Sequence, residues 1–258
     1  MAYFDKYGVE FSDDRKTLIK CPKDFQGAYV VPNTVTFIGG WAFCNCLALT
    51  NVTIPESVTG IGIQAFWDCP VLSKIVVEKG NSVFDSRNNC NAIINTADNT
   101  LIVGCKKAII PNSITAIGDM AFGYSGLTSV TIPNSVKSIG ILAFRGCSGL
   151  TRVTIPNGVK RIEDLAFSGC SGLTSITISN NVTNIGDKVF EDCKKLKYVR
   201  IFRKGKIERI LKKQLPDSVN LIIEESHSLS KEPRTCKCGC TNIPREAKFC
   251  PECGTKLS

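Results

Sequence analysis

The feature that most constrains this chain is a repeat. The pairs Ala42-Phe43, Ala65-Phe66, Ala121-Phe122, Ala143-Phe144, Ala166-Phe167 and Val189-Phe190 place Phe at intervals of 23, 56, 22, 23 and 23 residues. The long interval holds one coil that lacks its Phe and is ten residues longer than the rest. Three residues after most of these Phe comes a cysteine: Cys46, Cys69, Cys147, Cys170 and Cys193, with Ser125 in the same slot of the shortened coil. A Leu then opens an L-x-x-[VI]-x-[IV] run, as in Leu49/Val52/Ile54 and Leu150/Val153/Ile155. Pro follows at Pro55, Pro133 and Pro156, and a second apolar run such as Val136/Ile139/Gly140 completes the coil.

Periodicity of this length points to stacked coils. The end of each L-x-x-[VI]-x-[IV] run alternates apolar and polar residues, as a strand with one buried face does. Pro cannot donate to a ladder and ends the strand. One coil of this size cannot enclose a core. Coils stacked at ~4.8 Å bury each other and turn the Phe, Leu and Cys positions into internal columns. The expected fold is therefore a mainly β repeat solenoid with parallel strands and short helical or 3-10 turns. Its outward strand positions are Asn51/Thr53, Lys74/Val76, Ser129/Thr131, Arg152/Thr154, Ser175/Thr177 and Tyr198/Arg200. The Cys column reads as a small, soft core residue rather than a metal or redox ladder, because Ser125 occupies one of its slots.

Two segments break the period in the same way. Residues 8–22 and 91–105 both read as strand, polar turn, then a strand beginning Thr-Leu-Ile. The first, within 1–29, is read as a hairpin that caps the open end of a solenoid over 30–202. The second, within an irregular insertion at 78–108, is read as a surface bulge from the middle coil. Residues 203–225 read as a closing cap: Ile207, Ile210 and Leu211 share one helical face, Lys206, Arg209, Lys212 and Lys213 lie on the others, and a strand follows Pro216.

The runs LTSVTIPNSVKSIGILAFRGCSG and LTRVTIPNGVKRIEDLAFSGCSG resemble the repeats of the BspA-like leucine-rich-repeat family. The resemblance covers about 30–202. It implies a leucine-rich-repeat solenoid. Members are known mostly from bacterial surface proteins and some protozoa, are proposed to bind host proteins or partner cells, and are not enzymes as a group.

The C-terminus differs in kind. Residues 226–235 read as a polar linker that contains His227, the only histidine, to which no ligand or base role is assigned. In 236–258, Cys250-Pro-Glu-Cys253-Gly has the spacing by which two thiolates share one metal corner. The segment resembles zinc-ribbon modules ending FCPECGTKL. It departs from them upstream, where Cys236, Cys238 and Cys240 alternate and no C-x-x-C stands. Cys236 and Cys238 are the expected partners of Cys250 and Cys253, with Cys240 the rival. Four thiolates imply one structural Zn²⁺, since a catalytic site keeps an open position. So short a module also needs such a staple to fold.

Charge is unevenly distributed. The net charge of +9 arises entirely after residue 193, where 16 Lys and Arg face 7 Asp and Glu. No apolar run is long enough to span a membrane, and MAYFDKYGVEFSDDRK lacks the pattern of a secretory signal. Many unpaired cysteines suit a reducing compartment, so a cytoplasmic location is expected. Catalysis has little to stand on. The repeats hold no His, no phosphate-binding Gly loop appears, and the carboxylate neighbours Asp13-Asp14 and Glu163-Asp164 sit in turns or point apart. The reading is a non-enzymatic, monomeric scaffold that binds a protein partner. The alternatives are nucleic-acid binding through the basic C-terminal region and ribbon, and adhesion at a cell surface.

Overall fold

A computed structural model describes residues 2–224, Arg203 excepted. The chain winds through about nine coils. One ladder of parallel strands comprises Gln26–Val30, Ala48–Ile54 and Lys74–Val77, then Arg152–Ile155, Ser175–Ile178, Tyr198–Ile201 and Asn220–Ile223. Its first rung begins at Gln26, inside the segment read as cap. A second ladder of shorter strands runs beside it: Thr17–Lys20, Phe37–Ile38 and Gly60–Ile61, then Thr100–Gly104, Ala116–Ile117, Ser138–Ile139, Arg161–Ile162 and Asn184–Ile185.

Both ladders break in the same region, and the cause is the second hairpin. Thr100 and Leu101 pair with Ala116 and Ile117 as Thr17 and Leu18 pair with Phe37 and Ile38. Each of these strands is preceded by two antiparallel ones, Tyr3–Phe4 and Glu10–Phe11 in the first case, Phe84–Asp85 and Ala92–Asn95 in the second. Each meander carries a register shift at the corresponding place, between Glu10 and Phe11 and between Ile93 and Ile94. The surface bulge read from the sequence is therefore corrected. The hairpin restarts the solenoid and stands inside it as a partition. Ala92, Ile93 and Ile94 are fully buried. Ile93 belongs to one core with Phe84 and Cys105, whereas Ala92 and Ile94 belong to the other with Cys90 and Leu101. Successive side chains of a strand point to opposite faces, so this strand closes two cores at once.

The partition also accounts for a second difference. The rungs at 106–110 and 127–132 follow the apolar pattern but enter neither strand ladder. A cavity of about 180 Å³ lies where the short ladder is interrupted, between Ile61, Ile63 and Phe66 on one side and Ile102, Val103 and Met120 on the other.

Inside, the Phe column is a stack of parallel rings. Phe122–Phe144 and Phe144–Phe167 have centroids 5.0 Å apart and planes within 7°, and Phe43–Phe66 are 4.9 Å apart at 9°. Around each Phe the backbone bonds to the next coil: Phe144 N–H donates to Ala166 at 2.8 Å and Phe167 N–H to Val189 at 3.0 Å. The cysteines complete this arrangement. The thiols of Cys69, Cys147, Cys170 and Cys193 donate to the carbonyls of Phe43, Phe122, Phe144 and Phe167 in the preceding coil, at 3.0–3.2 Å. Ser125 is buried in its slot within 3.8 Å of the Cys147 sulfur. The last coil is closed by helix Lys206–Gln214, whose Leu211 is fully buried. Gln214 bridges two groups whose equivalents in other coils bond to each other, as Ala143 N–H does to Gly140: Nε2 donates to the Gly186 carbonyl at 2.6 Å, and Oε1 accepts from Val189 N–H at 3.3 Å.

Candidate binding face

The long ladder displays two outward columns. Its register sets Ala28 beside Asn51 and Lys74, and Val30 beside Thr53 and Val76. In the second stack it sets Arg152, Ser175, Tyr198 and Asn220 in one line and Thr154, Thr177, Arg200 and Ile222 in the next. None of these side chains is buried. The inward residues between them, such as Val52, Ile75, Val153, Ile176 and Val199, are at most 3% exposed. Ser129 and Thr131 are also exposed, with Ile132 buried, although their segment has no strand partner.

Ala28, Val30, Asn220 and Ile222 extend the face at both ends. Lys107 and Ile109 add a coil in the middle: Ile109-Ile110-Pro111 repeats Thr53-Ile54-Pro55, Ile110 is buried and Ile109 is 66% exposed. These positions escaped the repeat template because their coils lack its Phe. The apolar-Pro stop at Val31-Pro32 and Ile110-Pro111 was the available signal.

The face is sparsely charged. No outward position in either column carries a carboxylate. Arg200 reaches Glu224 at 3.4 Å. Lys74, Lys107 and Arg152 have no ion-pair partner among the described residues. On the cap helix Lys212 donates to Glu208 at 2.8 Å and holds that carboxyl below its usual range.

The strongly perturbed groups lie in the interior. Burial pushes the thiols of Cys147 and Cys193 up to about 12 and that of Cys105 up to about 11. They are protonated donors in the core and poor nucleophiles. Every described cysteine is a free thiol. Among the described residues no group of three or more His, Cys, Asp or Glu could hold a metal ion. Cys236, Cys238, Cys240, Cys250 and Cys253 lie outside the described residues. No described helix is long and apolar enough to cross a membrane.

Parallel rungs, an inner Phe-Leu-Cys core and a polar outer strand face define a leucine-rich-repeat solenoid. The BspA type leucine rich repeat region matches residues 26–105 and 102–221, with six copies. The chain belongs to this family. Its fold is similar to that of a leucine-rich repeat protein from Eubacterium ventriosum, at 21% identity and a TM-score of 0.64 over 77% of this chain and 55% of that one. The pneumococcal vaccine antigen PcpA is 21% identical, with a TM-score of 0.49 over 74% of this chain and 60% of that one. A leucine-rich repeat protein from Bacteroides ovatus is 21% identical, with a TM-score of 0.48 over 80% of this chain and 47% of that one. The chain thus spans about half the length of these three structures. No curated protein matches it.

Proposed function

We propose that the protein is a non-catalytic scaffold that holds a protein partner on its outer strand face. The supporting observation is the pair of accessible columns kept in register along both stacks. Leucine-rich-repeat proteins commonly bind proteins. A tagged full-length chain should retain partners that a Thr154→Arg/Thr177→Arg variant loses, because two long cations obstruct adjacent rungs. An unchanged set of captured proteins would place binding elsewhere.

The C-terminal module carries one structural Zn²⁺ in this reading, held by Cys236, Cys238, Cys250 and Cys253 with Cys240 as rival ligand. Metal analysis of freshly purified, reduced protein should give one zinc per chain, and zinc-free protein would overturn the assignment. The free buried thiols suit a reducing compartment. Fractionation should find the protein in the cytoplasm. Recovery at the cell surface would favour adhesion instead.

A further inference from the structure

The outward columns are chemically uneven, and the unevenness coincides with the break in the ladder. Lys74, Lys107 and Arg152 hold the equivalent outward position of their coils, and the Lys106 N–H donates to the Leu72 carbonyl at 2.9 Å, which sets the first two in neighbouring rungs. All three side chains are exposed and have no ion-pair partner among the described residues. In the parallel column Val76 and Ile109 lie beside them, Ile109 being 66% exposed. The inner edges of Lys74–Val77 and Arg152–Ile155 have no strand partner, and the rungs between them enter no ladder.

We infer that this central stretch of the face takes an extended, acidic segment of the partner protein, in which carboxylates alternate with aliphatic side chains. The inference rests on the scaffold reading above. Unpaired cations at equivalent outward positions attract a carboxylate series. Val76 and Ile109, both outward, offer apolar contact to the aliphatic side chains that alternate with carboxylates along an extended chain. A nucleic acid fits less well. The two outward columns carry one aromatic, Tyr198, so they form no stacking platform for bases.

The test uses the full chain and a short fluorescein-labelled peptide alternating Glu and Val, read by anisotropy at low salt. A Gln/Val peptide and a thymidine oligonucleotide of matched charge serve as comparators. The Glu/Val peptide should bind, and Lys74→Gln/Lys107→Gln/Arg152→Gln should weaken it by about tenfold or more, with charge reversal weakening it further. Lys137→Glu/Lys160→Glu, which reverses exposed lysines off these columns, should change it less than about twofold. An equal loss in that control, no binding by the native chain, or preferential binding of the oligonucleotide would each overturn the inference. If the Gln variants bind normally while Thr154→Arg/Thr177→Arg still abolishes partner capture, the acidic segment is refuted and the scaffold stands.

Discussion

Ile93 and Ile94 are adjacent, both fully buried, and assigned to different cores. Truncating either to Ala leaves a cavity whose cost is about 2–5 kcal/mol. A strand in a solvent-facing insertion would lose no more than about 0.5 kcal/mol. Trp41 lies in the first stack, whereas Trp67 packs on Tyr124 of the second at 5.2 Å between ring centroids, so in a Trp67→Phe background the fluorescence reports the first stack while far-UV circular dichroism reports the whole. Ile93→Ala should lower the tryptophan-reported urea midpoint more than the dichroism midpoint. Ile94→Ala should do the reverse. With an m-value of about 2 kcal/mol per molar urea, a loss of about 3 kcal/mol moves a midpoint by about 1.5 M. Small shifts in both variants would refute the partition. Large but identical shifts in both probes would refute the separation of cores and show one cooperative unit.

Three further outcomes follow from the interior. Cys147 and Cys193 keep their protons to about pH 12 when folded, whereas an unfolded thiol loses its proton near 8.5. Their contribution is complete below that value and is lost as pH rises toward 12. Raising the pH from 9 to 10.5 should cost roughly 2 kcal/mol per thiol, and urea titrations of Cys147→Ala should show a flatter dependence. Gln214→Ala frees the Gly186 carbonyl and the Val189 N–H, which should cost about 1–3 kcal/mol in thermal unfolding. Gln214→Glu, of similar shape, should cost at least as much, because it removes the donor to Gly186. Gly126 has φ +69°, and a Cβ there would sit 2.1 Å from the Pro70 carbonyl oxygen. Gly126→Ala should lower the melting temperature by several degrees, and an unchanged value would refute that close approach.

The repeat was legible because every coil meets the same neighbours and reuses the same apolar positions. The strand face was legible for the same reason at Asn51, Lys74, Arg152 and Tyr198. The partition was harder to see. Ala92-Ile93-Ile94 lacks the polar alternation of a half-buried strand, and that uninterrupted run is the mark of a strand buried on both faces. The backbone of the turns was not legible at all. Trp41, Gln64, Met120, Leu142, Leu165 and Lys188 share one slot and all have φ between 54° and 62°. These side chains do not favour that region. Hydrogen bonds to the next coil accompany it at Leu142, whose N–H donates to Asp164, and at Leu165, whose N–H donates to Asp187, while Lys188 in the last coil adopts it as well. A local sequence carries the preferences of its residues, whereas this conformation recurs at a fixed slot of the coil whatever residue stands there.

Stacking also explains why the middle of the face differs from its ends. A coil within a continuous ladder bonds to neighbours on both sides, and its outward positions can then remain small and polar, as Thr154, Ser175 and Thr177 are. The restart at 91–105 removes that regularity for the rungs at 106–110 and 127–132. Their outward residues are supported by buried neighbours such as Ile110 and Ile132 rather than by a strand on each side. Lys74, Lys107, Ile109 and Arg152 therefore stand where the ladder gives way to other backbone contacts, such as that of Ile109 N–H with the Cys90 carbonyl. The hairpin that closes two cores thus also creates the chemically distinct centre of the face, and partner selection should follow substitutions there more closely than substitutions at either end.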